Sequence, residues 1–345
     1  PTLSDISPTQ VPAGETTTGV VLTGTNLATA TAVTIGGQNA PITAGPGATS
    51  VTITAPNLAA GIYDVTVTTT GGTSTSGPTL TYVGAPVIQN VTPESGPIGG
   101  GTRVTITGEN LKINGGAATT VTMSGTGASP VTIVSSSPTQ VVIDTPARAA
   151  GAETITLQTA HNTSATATFT YVAAPTFSSI SPSSGPVAGG QTVVITGTNL
   201  SGATAVTIDG DAVSGFTVDS ATQITATTPP GTAGAKNVVV TTPGGTATGS
   251  GAYTYVAAPT VSTVSPTQLP ANVASPGTVT ITGTNLTGAK ITVGGEAEVT
   301  PATNDGTTLT FAAPRINTAG QKTVVVKTYS GATLLGQVTA GTSLT

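Results

Sequence analysis

The residue types that carry most enzyme chemistry are scarce in this chain. It has one histidine, His161, and no cysteine. A hydrolytic triad or a zinc site would have to run through His161, since thiolate nucleophiles and zinc–thiolate ligation are excluded. His161-Asn162, however, reads as a turn between two strands, so a solvated turn residue is the expected role. Paired carboxylates are the other recurring hydrolytic device. Thirteen acids are scattered over 345 residues. Asp209 and Asp211 in "TIDGDAV" stand two apart, but Asp209-Gly210 has the composition of a hairpin turn, and calcium wants more oxygen ligands than these two. Asn26, Asn110, Asn199 and Asn285 recur in one motif and invite a ligand-site reading. The expected role is a turn residue that bonds its own backbone and tolerates a left-handed conformation. Eight bases against thirteen acids give a net charge of −5, which opposes binding to a phosphate backbone. No catalytic, metal or cofactor residue is therefore assigned, and the chain is expected not to be an enzyme or to bind nucleic acid.

The elements that carry these residues follow from the apolar pattern. The chain is 37% hydrophobic but only 6% charged, with 78 threonines. Val, Ile and Thr suit a pleated, half-buried surface, so this composition predicts strands. No run approaches 18 apolar residues, so no transmembrane helix is expected. The strings "TYVGAP", "TYVAAP" and "TYVAAP" end at Pro86, Pro175 and Pro259, and "PTLSDISP", "PTFSSISP" and "PTVSTVSP" begin at Pro1, Pro175 and Pro259. Four repeats result: 1–85, 86–174, 175–258 and 259–345. Each contains the same series of period-two runs. In the third these are Val193/Ile195, Val206/Ile208, Ile224/Ala226 and Val238/Val240. Period two with Thr on the other face marks strands with one face in a core. Turn signals hold equivalent places at Gly71-Gly72, His161-Asn162, Gly244-Gly245 and Ser330-Gly331. Short strands at such spacing predict an all-β protein of four tandem β-sandwiches. The joints are short and end in Pro, which predicts an elongated, semi-rigid array, a rod of roughly 150 Å if the joints stay extended.

The run "SPSSGPVAGGQTVVITGTNL", Ser181 to Leu200, and its close copy from Thr92 to Leu111 resemble the opening of an IPT/TIG domain. The stretch Thr228 to Val256 is similar to the closing strands of that family. The resemblance covers nearly the whole chain as four copies and implies an immunoglobulin-like fold, found in plexins, some transcription factors and many bacterial and phage surface proteins. Two departures stand out. The first and fourth repeats open with "SPTQVPAG" and "SPTQLPAN", and the fourth lacks the aromatic pair seen as Phe169/Tyr171 and Tyr253/Tyr255.

Function is expected by exclusion. A Thr-rich, Cys-free immunoglobulin-like string resembles phage virion components. Pro1 would suit a chain made in the host cytoplasm that lost only an initiator methionine. The first reading is thus a non-enzymatic virion surface protein, a head decoration, head fibre or tail appendage. The alternative is a bacterial cell-surface or secreted adhesin, stalk or spacer array, with an extracellular location. The fourth repeat is the expected attachment end. It alone is net positive, with Lys290, Arg315, Lys322 and Lys327 against three acids, and its terminal segment is apolar. Lys322, Lys327, Leu334, Leu335 and Val338 are the candidate partner-binding residues. The expected partners are a capsid or tail protein or sister subunits, with a host-surface glycan as a further candidate.

Overall fold

A computed structural model describes residues 1–115, 118–125, 131–160, 163–270, 273, 274, 276–315, 317 and 320–340. His161, Asn162 and Leu344 lie outside the described residues. Among the described residues all regular structure is β-strand. Two compact units, Pro1–Ala173 and Ala174–Thr345, each hold two repeats.

The third repeat shows how one sandwich is built. Its first sheet runs in the order Thr176–Ser181, Thr192–Thr198, Gln223–Thr227, Gly215–Ser220. Its second runs Ser184–Pro186, Gly245–Val256, Gly234–Thr242, Ala205–Ile208, Asp211–Ala212. Alternation puts Val193, Ile195, Ile224, Val206, Ile208, Val238 and Val240 between the sheets, each no more than 1% exposed. Leu200, the leucine of the "GTNL" motif, plugs the same core, and Leu27, Leu111 and Leu286 do so in theirs. The glycine of that motif permits a close approach. A β-carbon on Gly24, Gly108, Gly197 or Gly283 would land on the carbonyl oxygen of Thr2, Val87, Thr176 or Thr260 in the leading strand.

The leading segment belongs to both sheets. Thr176–Ser181 pairs antiparallel with Thr192–Thr198, and a cis Ser181–Pro182 bond follows. Ser184–Pro186 then pairs parallel with the end of the last strand, where Thr254 N donates to Ser183 O at 2.9 Å and Val187 N to Val256 O at 3.2 Å. The first two repeats do the same through Gln10–Pro12 with Thr79–Val83 and Ser95–Pro97 with Ser164–Val172.

This seam accounts for one of the sequence departures. A β-carbon on Gly96 would meet Thr102 Oγ1 and then the Phe169 ring, and one on Gly185 would meet Gln191 Oε1 and the Tyr253 hydroxyl. Where the first repeat replaces that glycine with Val11, it replaces the aromatic ring with Leu80, and both are buried. Small against large and medium against medium fill the same space. The second closing aromatic anchors the seam. Tyr82 and Tyr171 hydroxyls donate to the carbonyls of Pro56 and Pro146 at 2.8 Å, and Tyr255 donates to Pro229. In the second and third repeats the rings of the pair, Phe169 with Tyr171 and Tyr253 with Tyr255, lie edge to face at 5.1 and 5.0 Å.

The hairpin turns differ from expectation by one residue. The two-residue loops are Thr70-Gly71, Pro243-Gly244 and Gly331-Ala332, because Thr69 pairs with Gly72, Thr242 with Gly245 and Ser330 with Thr333. Asp209-Gly210 is the expected two-residue turn, with φ of 58° and 93°.

Two outcomes are expected. Gly185→Val alone should overpack the seam and cost about 1–3 kcal/mol. Tyr253→Leu in the same chain should recover much of that, as Val11 with Leu80 already does; additive losses in a double-mutant cycle would refute the pairing. The second outcome concerns alkali. Burial, with the neighbouring tyrosine adding to it, pushes the Tyr82 and Tyr255 phenols up to about 12. Their unfolded values lie near 10, so their contribution is complete below about pH 10 and is lost as pH rises from there towards 12. The melting temperature of Tyr255→Phe should therefore fall less steeply over that window than the wild type's.

Candidate functional site

The fourth repeat gathers its charges on one face. Ala289–Val293, Val324–Ser330 and Thr333–Thr339 form a three-stranded sheet. Ile291, Val293, Val324 and Val326 point into the core, so Lys290, Lys327 and Tyr329 stand on the opposite face. Lys290 and Lys327 are direct register partners. Like charges opposite each other in a sheet repel, and a carboxylate between them removes the conflict. Glu298 supplies it, with Oε1 3.3 Å from Lys327 Nζ and Oε2 3.7 Å from Lys290 Nζ. The Tyr329 hydroxyl donates to the same Oε1 at 2.6 Å. Lys290 Nζ also lies 5.2 Å from the Tyr329 ring centroid, within cation–π range. The backbone of the following residue, Val299, pairs with Ile291, and this places Glu298 over the sheet.

The electrostatics follow. The Tyr329 hydrogen bond, then Lys327 and Lys290, hold the Glu298 carboxyl below the usual carboxylate range. The same bond pushes the Tyr329 phenol up. Two ammonium groups sharing one carboxylate beside an aromatic ring make a face of net +1. It suits docking on an acidic or hydroxyl-rich surface. Among the described residues, no three His, Cys, Asp or Glu side chains are grouped to hold a metal ion.

Of the five candidate partner-binding residues, Lys327 lies on this face and Leu334, 42% exposed, pairs with Tyr329 across the hairpin. Lys322 lies against Gly294 at the end of the adjacent strand. Leu335 is buried and Val338 packs on the core. The terminal segment is a paired strand of its own sheet, with Val338 opposite Val326. Glu298 and Tyr329 were not singled out from the sequence. Tyr329 alternates with Lys327 and was legible in principle; Glu298 reaches the face only through the fold of its loop.

Asp209, in the expected hairpin turn, also forms an ion pair with Lys236 at 2.7 Å. The motif asparagines do adopt left-handed backbone, with φ of 57°, 56°, 54° and 56° at Asn26, Asn110, Asn199 and Asn285. The side chains of the last three do not close back on their own turns as expected. Asn110, Asn199 and Asn285 donate instead to the carbonyls of Ala85, Ala174 and Ala258 at 3.2, 2.9 and 3.2 Å, because the leading strand brings the joint alongside the turn.

The family model described as IPT/TIG domain matches residues 1–82, 86–171 and 175–256. Plexin A3 of Danio rerio is 30% identical over 212 residues, which make up 58% of this chain and 11% of plexin A3. Among solved structures, the plexin A4 full extracellular region aligns with 93% of this chain and 35% of its own, at 18% identity and a TM-score of 0.33. SGBP-B from a complex xyloglucan utilization locus in Bacteroides uniformis aligns with 67% of this chain and 86% of its own, at 18% identity and a TM-score of 0.25. The chain thus spans about a tenth of plexin A3 and about a third of that plexin A4 chain.

Glu298→Gln should leave the sheet folded, since exposed ion pairs contribute little. It should bring the Tyr329 phenol down towards the ordinary tyrosine value of about 10. NMR titration of the tyrosine ring carbons measures this, and an unmoved Tyr329 would contradict the hydrogen-bond hub.

Proposed function

The chain belongs to the IPT/TIG domain family, and on that premise we propose that it is a non-enzymatic structural array displayed on a surface and built to carry load. One observation carries the reading. In each of the first three repeats the leading segment and the last strand run parallel, side by side and hydrogen-bonded. A pull along the chain draws the two strands of each seam in opposite directions. The seam bonds are then loaded together in shear, and they do not open one at a time. A repeat built this way holds its shape when its two ends are pulled apart, as a projecting stalk requires.

The surface we propose is that of a phage virion, with the fourth repeat as the attached end. The Cys-free, Thr-rich composition supports the first part. The net-positive face of Lys290, Lys327 and Tyr329 supports the second: it suits an acidic patch on a capsid or tail protein.

Deletion separates the ends. A chain ending at Ala258 should lose particle association, and one starting at Pro86 should keep it, as measured by co-sedimentation with particles. Retention of the first at wild-type occupancy would sink the attachment reading. Recovery of the full chain with the cell envelope instead of particles would replace the virion with the bacterial surface. The load-bearing reading has its own check in single-molecule pulling. Val187→Pro removes one seam donor and should lower the unfolding force of the third repeat alone.

A further inference from the structure

We infer that the asparagine of each Gly-x-Asn-Leu turn is a joint lock, which fixes the direction in which the chain enters the repeat. Three joints show the same arrangement. Asn110, Asn199 and Asn285 each donate a side-chain N–H to the carbonyl of the alanine that precedes the joint proline, at Ala85, Ala174 and Ala258. Two features make this acceptor a good handle. The alanine lies between repeats, so no strand ladder uses its carbonyl. The peptide that follows involves a proline nitrogen, so that peptide has no N–H with which to tie itself down.

The backbone of the turn aims the donor. At φ of 54–56° the three asparagines are left-handed, a conformation that few residues other than glycine and asparagine take readily. Glycine would satisfy the backbone but has no amide to donate. Asparagine satisfies both. The glycine two residues earlier completes the grip. Gly108, Gly197 and Gly283 let the turn close onto the carbonyl of the residue just after the joint proline, Val87, Thr176 and Thr260. Each joint proline is therefore held on both sides by one turn of the repeat that follows it. At Pro86 and Pro259, each within one unit, a short linker that would swivel about ψ of its alanine is fixed at that peptide.

In the first unit the joint at Pro86 has a second tie. Gln10 Oε1 of the first repeat accepts from the backbone N–H of Asn114 in the second at 2.7 Å. Both ties border one cleft of about 290 Å³, lined by Gln10, Tyr82, Gly84, Asn110 and Lys112 among others. A test of the lock must remove the glutamine first.

The chain has no native cysteine, so Thr70→Cys and Ser135→Cys place one spin label on each of the first two repeats. Pulsed electron–electron resonance then reports the spread of distances between them. In a Gln10→Ala background, Asn110→Gly keeps the left-handed turn and deletes only the donor. The distance distribution should broaden at least twofold while the melting temperature of the second repeat holds. Asn110→Asp, which keeps size and turn preference but turns a carboxylate towards the Ala85 carbonyl, should broaden it as much. Asn26→Gly, at the equivalent turn of the first repeat, should leave it unchanged. A wild-type width in both Asn110 variants would overturn the lock, and so would equal broadening by Asn26→Gly. If Asn110→Gly lowers the melting temperature of the second repeat, Asn110→Asp decides the question.

Discussion

Everything in each of the first three repeats depends on the leading segment being shared between its two sheets. Six residues of it complete the first sheet, and a few residues later it lies against the last strand of the second. That crossing closes one end of the sandwich and brings the chain's two ends of the repeat into one hydrogen-bonded seam, while the first-sheet pairing carries the joint past the Gly-x-Asn-Leu turn. The seam sets a volume rule as well. Gly185 sits over Tyr253 and Gly96 over Phe169, and the first repeat, with Val11 in that place, carries Leu80 in place of the ring. A residue in the leading segment thus constrains one about seventy positions later.

Stability must come almost wholly from these cores. There are no disulfides, and the ion pairs among the described residues lie at the surface, such as Arg103 with Asp144 at 3.0 Å. The outer faces are held by threonine in place of charge. Hydroxyls pair across strands at Thr34–Thr66, Thr176–Thr198 and Thr260–Thr284, at 2.7 to 2.8 Å. Such pairs contribute a few tenths of a kcal/mol each. They also put a β-branched residue at many outward positions, so the strand preference and the wetted surface come from one side chain.

The fourth repeat solves the same problem with different parts. It has no closing tyrosine to bond the proline that ends its third run. Phe311 is buried in its core, and Val338 packs against that core from the last strand. Its outer face carries the two facing lysines, and Glu298 neutralises one charge of the pair. The other repeats spend their outward positions mostly on threonine. A face that retains a net positive charge and an aromatic ring is the feature that distinguishes the last repeat from its neighbours.

The sequence by itself determined which residues face inward. Period two is imposed by the pleat, so Val193 with Ile195, Ile224 with Ala226, and their equivalents could be placed in cores from spacing alone. The family and the all-β class follow from the same local information, as does the Asp209-Gly210 turn, whose conformation depends on two adjacent residues. Tertiary structure decided the partners. Asn110 reads as a turn residue because its backbone preference is local, but its amide meets a carbonyl 25 positions upstream. Glu298 looked like one acid among thirteen until its loop laid it between two lysines. Val338 read only as part of an apolar terminal segment, and pairing with Val326 sets it against the core. Periodicity specifies a face; it does not specify what lies across from it, because strand order and the crossing of the leading segment bring together residues that no local pattern relates.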